Sequence, residues 1–155
     1  MPICKTVSLG AILFLASLLL VSCSGSIPST LGISDAGMAP CPSSPNCVSS
    51  DAQDIEHLVA PLQLVGPAID AWTVAKALLS KRPRTRIVTE KPDYLHAEIE
   101  SALFGFVDDL ELNLRPSERV IAVRSASRLG YSDLGVNHRR VEELRADLIS
   151  RGVVK

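Results

Sequence analysis

Residues 124–140 form the densest run of polar side chains in this sequence, and a pair of aspartates lies shortly before it. The residues that could carry chemistry are Asp108, Asp109, Arg124, Ser125, Ser127, Arg128, Tyr131, Asp133, Asn137 and Arg140. Guanidinium groups bind carboxylates and phosphates through paired hydrogen bonds. This set therefore suits either internal ion pairs or an anionic ligand.

We favour an ion-pair and capping network that holds the long loop in place. In this interpretation Asp109 pairs with Arg124, and Asp108 is satisfied by Ser125 or by a loop amide. The alternative is an anion pocket, in which Arg124, Arg128 and the start of the last helix receive a phosphate or carboxylate ligand.

A metal site is disfavoured by the geometry of a strand. A divalent cation would need Asp108, Asp109 and Glu111 together. Adjacent strand residues point to opposite faces, so the two aspartates cannot easily share one ion. The sequence also lacks Gly-x-Ser-x-Gly, a phosphate-binding glycine loop and His-Glu-x-x-His. We therefore predict no catalytic residue, no metal and no cofactor.

Three motifs carry a family resemblance. They are Cys-Pro-Ser-Ser-Pro-Asn-Cys-Val-Ser-Ser at 41–50, Phe-Val-Asp-Asp at 106–109, and Arg-Ser-Ala-Ser-Arg at 124–128 continuing to Gly-Val-Asn at 135–137. Together they resemble the bacterial and plastid family called domain of unknown function 1499. The resemblance covers residues 41–150. It implies an envelope or organelle domain without an assigned activity, and it supplies no catalytic residues.

The elements that position these side chains follow from hydrophobic periodicity. A helix opens at Asp70 or Pro67, and its apolar face carries Ile69, Trp72, Ala75, Leu78 and Leu79. Strands are predicted at about 85–91, 94–101, 106–114 and 119–126, and a last helix is capped by Asn137. The predicted fold class is α+β: a four-stranded antiparallel sheet with two helices on one face, in the order helix, four strands, helix.

The third and fourth strands permit a register prediction. If residues 116–117 form the middle of the turn, Asp108 faces Ser125 on one side of the sheet and Asp109 faces Arg124 on the other. The inward side of the third strand is then Phe106, Asp108, Leu110, Leu112 and Leu114.

The N-terminus has the pattern of an export signal. Lys5 precedes an apolar run of thirteen residues at 9–21, too short for the about 20 that cross a bilayer. The run ends in Leu-Val-Ser-Cys at 20–23, which resembles the lipobox of bacterial lipoproteins and implies an acylated Cys23. We predict a signal peptide at 1–22, a flexible tether at 23–40 that starts from lipidated Cys23, and a single α+β domain at 41–155.

Cleavage and lipidation would leave two cysteines, Cys41 and Cys47. Outside the cytoplasm, a pair this close in sequence is a natural disulfide. A pair of free thiols and a metal or redox pair remain as alternatives at this point.

The charge balance limits the function classes. The chain carries 16 basic and 17 acidic residues, which excludes a strongly basic nucleic-acid binder. We predict a lipid-anchored cell-envelope protein that faces the periplasm, with the outer membrane favoured over the inner. Its role is a binding or structural module, with an envelope protein or a small anionic ligand as partner. The alternative is a small anionic-ligand binder or hydrolase that acts at residues 124–140.

Overall fold

The computed structural model describes residues 25–103 and 105–155, so the predicted signal peptide and Cys23 lie outside the described residues. The strands are β1 (Ile33–Ser34), β2 (Gly37–Met38), β3 (Cys47–Ser49), β4 (Leu62–Gln63), β5 (Thr85–Glu90), β6 (Tyr94–Glu100), β7 (Val107–Arg115) and β8 (Val120–Ser127). The helices are α1 (Ala68–Lys81) and α2 (Val136–Ser150).

The main sheet has six strands and antiparallel pairing. Its order is β3-β8-β7-β6-β5, and β4 also pairs with β8, beyond the end of β3. Strands β1 and β2 pair with each other. The predicted four-stranded sheet and the order helix, four strands, helix are therefore wrong, because four short strands precede α1. Strands of two or three residues are too short to show the alternation on which the prediction relied.

Both helices pack on one face of this sheet. The shared core includes Trp72, Ala75 and Leu79 from α1, Val141, Leu144 and Leu148 from α2, and Leu110, Leu112, Ile121 and Val123 from the sheet. Fully burying one such side chain contributes about 1.5–3 kcal/mol. Two residues expected on this face are instead exposed, Ile69 at 62% and Phe106 at 42%. Neither helix of the described chain is long and apolar enough to cross a membrane.

The register between β7 and β8 differs from the prediction by two residues. Arg115 pairs with Val120, so the turn has four residues and Arg119 adopts a positive φ of 56°. Asp108 consequently lies opposite Ser127 rather than Ser125. A shift of two leaves every side chain on its predicted face, because the side-chain period of a strand is two.

Residues 25–46, which we call the N-terminal segment, contact the second face of the sheet at Glu111 and Arg128. The Gly32 amide donates a hydrogen bond to Glu111 at 2.9 Å, and the Met38 amide donates one to Asp51 at 3.1 Å. Met38 itself is buried. The flexibility predicted for residues 23–40 stays a prediction.

Candidate functional site

The predicted site residues divide between the two faces of the sheet. Asp108 shares the helix side of β7 with the apolar core, and Asp109 lies on the second face. The helix-side network comprises Asp108, Ser125, Ser127, Asp133, Asn137 and Arg140. The second-face network comprises Tyr94, His96, Glu98, Asp109, Glu111, Arg124 and Arg128. The predicted site residues therefore belong to two networks, which the sheet separates.

In the helix-side network, Arg140 of α2 satisfies the carboxylate of β7. One guanidinium nitrogen of Arg140 donates to Asp108, and the other donates to Ser125 at 2.9 Å and to Asn137. The Ser125 hydroxyl in turn donates to the Asn137 side-chain oxygen at 2.6 Å. Asp108 thus has a charged partner from the last helix, and Ser125 bonds to Asn137 and Arg140 instead.

Asn137 joins the sheet, the loop and the N-terminal segment. Its buried amide nitrogen lies 3.0 Å from the Asn46 carbonyl, 2.9 Å from the Ser127 hydroxyl and 2.9 Å from the Asp133 carboxylate. It does not cap α2 as predicted, because the helix begins at Val136 with Gly135 in the N-cap position. Asp133 fills that role by accepting from the backbone amides of Gly135 and Asn137 at 2.9 and 2.7 Å.

In the second-face network, Asp109 is held by a histidine and an arginine. Its Oδ1 lies 2.7 Å from His96 Nε2, and Arg128 donates to its two oxygens at 2.6 and 2.9 Å. Arg128 also donates to Glu98 at 2.6 Å, while the other Glu98 oxygen accepts from Arg86 at 2.5 Å. The predicted partner of Asp109, an arginine of β8, is replaced by the arginine that follows the strand.

Glu111 is the second anionic centre of this face and has no exposed surface. Arg124 donates to its Oε2 at 2.9 Å, and its Oε1 accepts from the Tyr94 hydroxyl at 2.8 Å and from the Gly32 amide at 2.9 Å. Within the described residues, Arg124 Nε is a buried side-chain nitrogen without a hydrogen-bond partner. Glu111 is therefore bonded to two neighbouring strands and to the N-terminal segment at once.

The second-face network favours ionised carboxylates and a neutral tyrosine. Burial alone would raise the pKa of Asp109, but hydrogen bonds from His96 and Arg128 and the Arg128 charge outweigh it, so the pKa lies below its ordinary value. The pKa of Glu98 is lowered in the same way. Burial, together with the charge and hydrogen bond of Glu111, raises the pKa of Tyr94. None of these shifts places a proton-transfer group near neutral pH.

The remaining predicted residues are placed as follows. Tyr131 lies in the loop after β8 with 75% of its surface exposed. Cys41 and Cys47 form the predicted disulfide, with their Cα atoms 5.6 Å apart. This confirms the bridge over the free-thiol and metal alternatives. In the part of the chain that the structure describes, no group of three or more His, Cys, Asp and Glu side chains could hold a metal ion.

Sequence reasoning missed much of the second face. It left Tyr94, His96 and Glu98 out of the site, yet His96 is only 3% exposed. The available signal was cross-strand position, since His96 and Glu98 of β6 lie directly opposite Glu111 and Asp109 of β7 on one face of the sheet. A further bidentate pair, Asp51 with Arg115, borders an open cleft of about 460 Å³ beside β1 and β2.

Comparison with known proteins gives a family and no activity. The family described as protein of unknown function (DUF1499) matches residues 37–148, well over half of the chain. No curated protein matches the chain, and no solved structure does. The match begins within the N-terminal segment and ends in α2, so it spans both networks. The chain belongs to the DUF1499 family.

Proposed function

We propose that this protein is a lipid-anchored module of the bacterial cell envelope that binds or organises a partner and does not catalyse a reaction at its polar networks. It faces the periplasm, with the outer membrane favoured as its location. The apolar run and the Leu-Val-Ser-Cys ending at Cys23 support the anchor. The Cys41–Cys47 disulfide supports a location outside the cytoplasm.

One observation carries the non-catalytic role: the guanidinium groups of the predicted site already hold carboxylates. The side chains of Arg124, Arg128 and Arg140 are 8%, 4% and 9% exposed, and each forms an ion pair. A phosphate or carboxylate ligand would have to displace a buried carboxylate, which would then lose its charged partner. This favours the structural network over the anion pocket.

Lipidation is tested on protein purified from membranes of the native host. We expect the intact mass to show a diacylglycerol on Cys23 and an acylated amine, with cleavage after residue 22. The Cys23→Ser variant serves as the control. It should lack the diacylglycerol mass and the cleavage after residue 22, while retaining the disulfide. An unmodified Cys23 in membrane-derived protein would refute the anchor.

The absence of an anion site is tested by thermal shift. Inorganic phosphate and citrate should leave the melting temperature of the oxidised protein unchanged beyond the effect of ionic strength. A saturable stabilisation that disappears in Arg128→Lys would instead establish the ligand-binding alternative, because lysine retains the charge but loses the bidentate geometry.

A further inference from the structure

Six large exposed apolar side chains lie in two loops and at Val136, the residue that follows the second loop. These are the β6–β7 loop, described at 101–103 and 105–106, and the β8–α2 loop at 128–135. The apolar residues are Leu103, Phe106, Leu129, Tyr131, Leu134 and Val136. Leu103 and Leu134 are 80% and 85% exposed. Clusters of this kind mark surfaces that contact a protein or a membrane.

The two loops lie at the same end of the sheet, which we call the loop end. In an antiparallel sheet, β6 ends where β7 begins and β8 ends. The Arg128 amide donates to the Val107 carbonyl at 3.2 Å, and the Ser101 amide donates to the Phe106 carbonyl at 2.8 Å. These bonds join the start of one loop to the end of the other.

The β8–α2 loop also presents its leucine in a demanding conformation. Leu134 has a φ of 55°, which is uncommon for a bulky residue. Its carbonyl accepts a hydrogen bond from Arg139 at 2.9 Å, and the neighbouring Asp133 carboxylate accepts one from the Gly135 amide. Hydrogen bonds at Asp133 and at the Leu134 carbonyl thus hold the loop in this conformation, while the Leu134 side chain is exposed to solvent.

The described chain starts at this same end. A Cβ atom placed on Gly25 would lie 3.1 Å from Arg128 Cβ and 3.4 Å from Leu129 Cγ, so this backbone packs directly on the β8–α2 loop. Cys23 is two residues earlier in the sequence. Two residues of extended chain span at most about 7 Å.

We propose that the loop end rests on the lipid bilayer, with Leu103, Leu134 and Tyr131 in contact with its surface. This inference rests on the proposed acylation of Cys23. Acyl chains at Cys23 would keep the loop end beside the bilayer at high effective concentration, so even weak apolar contacts would be occupied. Leucine and tyrosine suit this position, because tyrosine places an apolar ring and a polar hydroxyl at the membrane interface.

The test uses the full chain, expressed in a lipoprotein-processing host and reconstituted in vesicles of phosphatidylethanolamine and phosphatidylglycerol. Leu134→Cys and, as a second site, Leu103→Cys are labelled with a fluorophore that responds to polarity. Ile69→Cys is the matched control, since Ile69 is also exposed but lies in the first turn of α1, towards the other end of the sheet. Cys41 and Cys47 are bridged and do not react.

We expect lipids with a nitroxide near the headgroup to quench the label at residue 134 or 103 by about half or more, with a blue shift. The label at residue 69 should be unchanged. Equal quenching at all three sites, or none at the loop end, in protein that floats with the vesicles overturns this orientation and leaves the anchor intact. Protein that does not float and carries an unmodified Cys23 overturns both proposals.

Discussion

Arg128→Ala tests whether the second-face network stabilises the fold. The substitution removes three hydrogen bonds, two to Asp109 and one to Glu98. The Asp109 side chain is only 2% exposed in the wild type, and His96 would be its one remaining side-chain partner among those described. The variant therefore creates a buried carboxylate that has lost its main compensating charge.

The expected cost follows from that burial. Breaking a buried ion pair by removing one partner costs about 3–5 kcal/mol of unfolding free energy. The entropy of unfolding for a domain of this size is about 0.3 kcal/mol per kelvin, so the melting temperature should fall by roughly 10–17 °C. Arg86→Ala is the matched control, because Arg86 binds the other oxygen of Glu98 but is 71% exposed. It should cost about 0–1 kcal/mol.

The assay is urea and thermal unfolding of both variants beside the wild type, with the disulfide intact. The same series at falling pH adds an independent check. The lowered pKa of Asp109 stabilises the wild type above the unfolded-state pKa of about 3.9, and that contribution is lost as the pH falls through the folded-state pKa. In Arg128→Ala no guanidinium opposes the effect of burial, so the pKa of Asp109 is higher than in the wild type. The difference in unfolding free energy between the variant and the wild type should therefore shrink as the pH falls from about 7 to about 3. Similar losses for Arg128→Ala and Arg86→Ala at neutral pH would refute this account.

Three further outcomes are expected. Replacing Cys41 and Cys47 together by serine should cost about 2 kcal/mol in urea unfolding, since the closed loop is short, and a larger loss would mean that the bridge also holds the native packing. Asn137→Ala should lower the unfolding free energy by about 1–3 kcal/mol, because the Asn46 carbonyl and the Ser127 hydroxyl lose their hydrogen bonds to the Asn137 amide. An unchanged urea midpoint would show that water replaces the amide. The pKa of His57 is raised because the Asp54 carboxylate bonds its ring against the opposing effect of burial. This pair therefore stabilises the fold below about pH 6.5 and loses its effect as the pH rises through the folded-state pKa. His57→Gln should accordingly be more destabilising at about pH 5.5 than at about pH 8.5, and equal losses at both would contradict that sign.

Alternation along β7 was sufficient to predict that Asp108 and Asp109 face opposite sides, because that property depends only on the period of a strand. Their partners could not be predicted in the same way. The four-residue turn with Arg119 at positive φ moved the register by two, and the partner of Asp108 came from α2. Long-range contacts of this kind leave no local pattern in a single sequence.

The buried state of His96 shows a second limit. Alternation of polar and apolar residues is typical of a sheet with one face in water, and β6 has that pattern. In the structure the N-terminal segment packs on the polar face, where the Gly32 amide donates to Glu111 and Gly25 lies against Arg128. That coverage depends on how a glycine- and proline-rich segment folds back on the sheet, and such segments show no periodicity.

The bridge between Cys41 and Cys47 also determines how the protein would respond to mechanical tension on its N-terminus. Tension on the N-terminal segment would load single hydrogen bonds in turn, such as those of the Gly32 and Met38 amides, so these would break one after another. The peeling stops at Cys41, because the bridge transfers the force to Cys47 at the start of β3, where several strand bonds resist together. Residues 25–41 would therefore extend first, to at most about 60 Å, and only further force would load the main sheet, through the bridge and β3.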